Sequence, residues 1–557
     1  MRILLVLVTV IAVFASSVTA QQQSQLGRVE FPTSGSAKAQ AHFVRGLAAL
    51  HSFWYEEAIE AFQDSTKVEP DFAMGYWGEA MAYNHPLWSE QDIATARQVL
   101  TKIKETPKLT QRERAYLNAV KLLYGEGDKR ARDAAYSAAM EKVYRAYPED
   151  LDAAAFYSLS LLGLVRPEDK SYRLQAQAGA IALDVYQKNP NHPGAAHYII
   201  HAFDDPDHAI LALPAARRYA DIAPEAHHAR HMPSHIFLQL GMWPEAAASN
   251  LSAWESSDAW MKRKKLSPNV RDYHSLHWLM YVYLQQGRYS EAEQLLSLMK
   301  KVMSESTYDN KLRPGYYENN YAAMVSAFVV ETERWNLAAE LFPESKAAPA
   351  TSEQSAMSGS HGGHSAAPAP VGNATPTVRA SSANLMLPLF VRGLAAAVNG
   401  SAIDQSMAGL EALRSDKVPT RSPVLTIREQ EISALSASMK KDHDKAIELM
   451  KKATALEEEM SPPSGPPMLI KPTHELFGEI LLRAGKPAEA AEQFKIALLR
   501  QPNRARSLLG VARAAAQTGN QSAALTAYAR LIDQWKQADD GLVELREARD
   551  YLKQAKR

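Results

Sequence analysis

Histidine is gathered in one part of this chain. Ten of its seventeen histidines lie between His192 and His277, most of them in three stretches: HYIIHAFDDPDH from 197, HHARHMPSHIF from 227 and DYHSLHW from 272. His197 and His201 are four apart, as are His231 and His235, so on a helix each pair shares one face. The two pairs are themselves 34 residues apart, member for member. Neutral imidazole is the commonest metal ligand, and zinc, copper, iron and nickel all accept several. The chain has no cysteine, so any such site is built of nitrogen and oxygen. His197, His201, His231, His235 and, from the third stretch, His274 and His277 are therefore the expected ligands of a divalent transition metal: zinc, copper or iron. Asp204, Asp205, Asp207 and Asp272 are placed to serve as ligands, or as outer partners that fix the imidazole tautomer.

Other histidines read more plainly. His227 and His228 follow Pro224 and are expected to open a helix facing solvent. His192 and His208 read as turn residues, and His42 and His474 as core positions. His51 and His85, again 34 apart, are weak pointers to the same surface farther along. Trp77, Trp88, Trp243 and Trp278 are expected to pack between helices or to wall a groove. Tyr273, Tyr316, Tyr317 and Glu318 are available as acid–base groups but read first as structural. The chain contains no HExxH, no GxSxG, no dinucleotide-type GxGxxG and no calcium loop, and its GEILLRAGK stretch lacks the spacing of a phosphate loop.

These side chains must be carried by helices. Beyond residue 36, alanine-rich amphipathic segments of about 12–18 residues follow one another with little alternating strand pattern, and they recur in pairs. FVRGLAALHSFWYEEAIEAFQDSTKVEP sets Gly46, Ala58, Phe62 and Pro70 at spacings of 12, 4 and 8, and Gly478, Ala490, Phe494 and Pro502 repeat those spacings. Small residues let two antiparallel helices touch, the aromatic fills the gap, and the proline stops the second helix. Gly241–Ala246, Gly287–Ala292 and Gly519–Ala524 keep the turn, and FVRGLAA occurs at both Phe43 and Phe390.

This pattern resembles the tetratricopeptide repeat family. The resemblance implies an all-α solenoid of antiparallel helix pairs. It also implies a concave groove lined by first helices, into which the His197/His201 and His231/His235 pairs project from adjacent repeats. Such repeats serve mainly as binding surfaces, so the fold says little about function.

The remaining organisation is compositional. Residues 1–20 carry Arg2, an apolar run and SSVTA, a signal-peptide pattern with a cut expected before Gln21 and hence an exported, periplasmic or extracellular protein. Residues 21–36 read as a flexible N-terminus, 37–345 as a helical array holding the histidines, and 379–557 as a second array. Between them, 346–378 is rich in Ala, Pro, Ser and Gly and reads as a disordered linker; its His361 and His364 read as ordinary linker residues. SPPSGPP at 461–467 reads as a stiff connector. Lys+Arg and Asp+Glu balance at 62 each, which leaves no basic field for nucleic acid.

Three functions fit: a binding scaffold whose groove carries a metal and takes a protein, peptide or small-molecule ligand; a metal-dependent hydrolase or oxidase on the same cluster; and a metal-free interaction scaffold.

Overall fold

The computed structural model describes residues 25–166, 169–305, 316–342, 382–415 and 423–555. The leader expected at 1–20 and the linker expected at 346–378 lie outside the described residues. Twenty-six α-helices follow one another among the described residues, with one small β feature: Asn84–His85 pairs antiparallel with Glu90–Gln91. The all-α solenoid is as expected. Among the described residues, no helix is long and apolar enough to cross a membrane.

Helix starts are set by local chemistry. Asp150, Asp272 and Asn520 accept hydrogen bonds from the backbone N–H three residues on, and Thr110 forms a reciprocal capping box with Glu113. Several first helices end in the same turn. Gly241, Gly287, Gly485 and Gly519 have positive φ, and the next residue's N–H reaches back to a carbonyl five residues earlier, as from Met242 to Phe237. The pairs then close on small-to-aromatic contacts. A β-carbon at Gly478 or Gly510 would lie 2.7 Å or 2.3 Å from the Phe494 ring, so only glycine admits this approach.

Residues 26–31 differ from the expected flexible N-terminus. Leu26, Val29 and Phe31 are buried, Phe31 sits against Phe43, Trp77 and Tyr116, and Arg28 N–H donates to the Asn191 carbonyl. Apolar residues spaced along an extended strand find a ready-made aromatic pocket, and that burial outweighs the polar composition around them.

The later repeats fold back onto the earlier ones. Trp243 Nε1 donates to the Asn503 carbonyl at 2.9 Å, and Asn503 Nδ2 donates to the Gly241 carbonyl at 3.1 Å. Trp535 Nε1 reaches the Gln285 carbonyl at 3.0 Å. Arg504 is fully buried, paired with Glu475 and Glu331 and touching Tyr281 at 3.1 Å. The SPPSGPP connector lies against the first array too: Gln239 Nε2 donates to the Pro463 carbonyl at 2.7 Å, and Gly465 packs on Trp278.

Candidate metal centre

Three helical elements carry the histidines. Pro193–Ala202 presents His197 and His201; the broken pair His227–His231 and Pro233–Gln239 presents His228, His231 and His235; Tyr273–Gln285 presents His274. Pro233 interrupts the second element, but both halves keep helical direction, so the spacing of four still brings His231 and His235 to one face.

The six rings fall into two triads. His197, His201 and His228 converge in one, and His231, His235 and His274 in the other, with one ligand atom of each residue within 4.8 Å of the others in its triad. In the first, Nε2 of His197 lies 3.1 Å from Nε2 of both His201 and His228. In the second, Nε2 of His231 lies 3.1 Å from Nε2 of His235. Two nitrogens bound to one ion at about 2.0–2.1 Å, subtending about 100°, would be about 3.1 Å apart. The spacing therefore fits ligands that share a cation.

The outer nitrogens fix the tautomers. His197 Nδ1 lies 2.8 Å from the His51 carbonyl, which can only accept, so Nδ1 carries the proton and Nε2 is a bare lone pair. Asn250 donates its Nδ2 to the Ala246 carbonyl and so turns Oδ1 toward His231 Nδ1 at 2.7 Å, with the same consequence. His235 Nδ1 faces Asp204 Oδ2 at 2.6 Å. His231 and His235 thus point lone pairs at each other, an arrangement that a cation between them relieves. Burial disfavours a proton in that role: it pushes His197 down to about 3 and holds His231 and His274 below the ordinary imidazole range.

The side chains that come together differ from the expected set by one residue. His197, His201, His231, His235 and His274 come together as expected, while His277 joins neither triad. It sits three residues beyond His274 on the same helix and keeps a partly exposed edge. His228 takes the sixth place. The expectation of solvent-facing His227 and His228 is corrected: both are buried, His228 in the first triad and His227 against Asp272 at 3.3 Å and Trp54. The following repeat stacks over the start of their helix and closes it off. The rings also line no open groove, since His197 and His231 are fully buried and only His201 and His274 approach the surface.

Phe53 was not picked out from the sequence. It stacks on His201 and His228 and meets His197 edge-on with centroids 4.3 Å apart. Its backbone is left-handed, at φ 53°, an unfavourable state for a bulky residue. The signal was available: Phe53 precedes Ala58 by five, the place glycine holds before Ala246, Ala292, Ala490 and Ala524. Trp278 walls the second triad, with centroids 4.3 Å from His235 and 4.9 Å from His231.

A third group lies behind the first triad. His51 bridges Tyr198 OH at 2.9 Å and Asp152 at 2.8 Å, and His192 Nε2 is 3.4 Å from the same carboxylate oxygen. His192 Nδ1 caps the next helix by accepting from Ala195 N–H. Burial pushes Asp152 up, but the adjoining His192 and His51 rings outweigh it and keep the group ionised. Among the described residues, Asp152 Oδ2 and His192 Nε2 are left without a hydrogen-bond partner, while His51 offers its own carbonyl to His197. Elsewhere, His474 is buried as expected, His42 only half-buried, and the His208 ring meets the Asp205 carboxylate at 2.8 Å just before the next helix. His85 stacks on Tyr55, away from both triads. Tyr273 and Tyr317 bond to the Pro268 and Asn269 carbonyls, as structural groups do.

Residues 476–539 match the tetratricopeptide repeat family model, and the chain carries tetratricopeptide repeats. Among solved structures, it is similar to a tetratricopeptide repeat protein from Parabacteroides merdae: 13% identity over 59% of this chain and 99% of that one, TM-score 0.30. Yeast Tom70 is similar at 13% identity over 93% and 95% of the two chains, TM-score 0.32. Human IFIT1, solved as a dimer with m7Gppp-AAAA, is similar at 13% over 90% and 91%, TM-score 0.33. The search of curated proteins gave no match.

Proposed function

We propose that this is an exported tetratricopeptide-repeat protein that binds a transition metal through its histidine triads and offers its repeat surface to a protein partner. The observation that carries the metal reading is the convergence of imidazole Nε2 lone pairs at 3.1 Å while the Nδ1 atoms are held from behind by His51 O, Asn250 and Asp204. That is how metal-ligating histidines are oriented elsewhere: the outer nitrogen donates, which fixes the ring and raises the basicity of the inner one. Neutral imidazoles without thiolates select zinc, copper or iron over calcium or magnesium. The partner reading rests on the repeat fold, whose usual use is recognition, and export rests on the sequence of residues 1–20.

Elemental analysis tests the metal. Protein purified without chelator, or stripped and reloaded with copper, zinc or iron in turn, should retain a stoichiometric amount of at least one of them through gel filtration. Absence of any bound metal after reloading would remove the reading. Mass spectrometry of the chain from its native host should find a mature form that begins near Gln21; intact Met1 in the cytosol would remove export.

A further inference from the structure

The two triads are not separate in space. Within each, neighbouring ring centroids are 4.6–5.0 Å apart. Across the boundary, His201 faces His235 at 6.0 Å and His228 faces His231 at 6.0 Å. One edge of the first triad, His201–His228, therefore faces one edge of the second, His235–His231. His228 and His231 leave one short helix three residues apart, and His201 and His235 come from equivalent positions in adjacent repeats.

We infer that the six histidines form one dinuclear copper centre, with a copper ion in each triad and one small oxygen ligand bridging the pair. This rests on the preceding reading that the imidazoles hold metal, and extends it to number, element and bridging ligand.

Three observations support it. The first is spacing: the triads face each other along one edge, with ring centroids 6.0 Å apart across it, which sets the two seats side by side as in two-metal sites, where a single oxygen ligand reaches both ions. The second is charge. Two divalent ions side by side in a buried site repel strongly, and hydrolytic pairs offset this with carboxylate ligands; here all six ligands are neutral. Asp204 stands behind His235 and Asp272 beside His227, and neither carboxylate is a member of a triad. Two copper(I) ions carry half the charge of two divalent ions, which suits six neutral ligands, and copper stands highest in the order of affinity for nitrogen sites. The third is access. His201 is half-buried, and His274 is the most exposed member of its triad, so each triad has one ring toward its outer side.

The experiment uses the full-length mature chain. Stripped protein is titrated with copper, dialysed, and assayed for copper per chain and for unpaired spins by electron paramagnetic resonance after oxidation to copper(II). The expected result is about two coppers per chain with a spin count far below two, because the bridging ligand couples the ions. His274→Ala and, separately, His228→Ala should each lower the count to about one copper and raise the signal to about one full spin per chain. His277→Ala should leave both readings as in the wild type. Circular dichroism confirms that each variant remains helical. One copper per chain in the wild type, or two that give two independent full-intensity signals, overturns the dinuclear inference but leaves metal binding standing. Stoichiometric zinc or iron with no copper retention overturns the choice of element. Absence of any metal binding overturns both this inference and the reading beneath it.

Discussion

Replacing His277 with glutamine tests both the boundary of the metal centre and the acid response of the fold. His277 keeps a partly exposed edge, but burial of the rest pushes it down to about 4. In the unfolded chain it titrates near the ordinary value of about 6.5. Below that value the unfolded state binds a proton that the folded state does not, so stability is full above about pH 6.5 and is lost as pH falls toward 4. At pH 5.0 the linkage amounts to about 2 kcal/mol for this residue. Glutamine has no such proton. Between pH 7.5 and 5.0 the metal-free wild type should therefore lose about 2 kcal/mol more than His277→Gln, whatever constant offset the substitution introduces by repacking. Urea unfolding followed by circular dichroism at both pH values measures this, with chelator present throughout. Bound metal should be unchanged in the variant, whereas His228→Gln, which removes a triad ligand, should weaken binding by more than the roughly 10–100-fold typical of an outer partner. If wild type and His277→Gln show parallel acid responses, the burial argument is wrong. If His277→Gln sheds metal and His228→Gln retains it, the ligand assignment is wrong.

Three further outcomes are expected. Asp204→Asn removes the carboxylate behind His235 and should lower metal affinity by about 10–100-fold with helicity intact, measured by competition with a chromophoric chelator. Gly510→Ala puts a β-carbon 2.3 Å from the Phe494 ring and should destabilise the fold by about 1–3 kcal/mol in urea unfolding; a neutral outcome would show that the ring can move aside. A protease site engineered into 346–378 should, once cut, leave two fragments that co-elute in gel filtration, held by the Trp243–Asn503, Arg504–Glu331 and Trp535–Gln285 contacts. Clean separation of the fragments would mean that those contacts are too weak to hold the arrays together.

The sequence disclosed what is periodic. Helix pairs, glycine turns and the register of His197 with His231 all repeat at a fixed interval, and the structure keeps them. What it did not disclose depends on contacts between unequal positions. His228 joins His197 from 31 residues away rather than 34, so repeat register passes over it. His274 and His277 lie three residues apart on one helix, and local spacing does not tell which of the two rings enters a triad. The burial of the triads comes partly from aromatic walls and from a connector that seats Gly465 on Trp278, 187 residues away in sequence, a contact no local pattern encodes. Asp204 lies just beyond the end of its helix, where the chain's path decides which ring it meets.

An open superhelix of repeats behaves mechanically like a spring: pulled at its ends, it lengthens by small rotations between neighbours at little energetic cost. This chain has cross-ties. Hydrogen bonds join Trp243 to Asn503 and Gln285 to Trp535, across 260 and 250 residues of sequence, so extension must shear them instead of merely flexing the stack. The ties fall at the turns after the helices that carry His235 and His274. A partner gripping the outer repeats would thus transmit little strain to the imidazoles, whose separations matter at the scale of tenths of an ångström. The folded-back repeats act as a frame that keeps load off the centre.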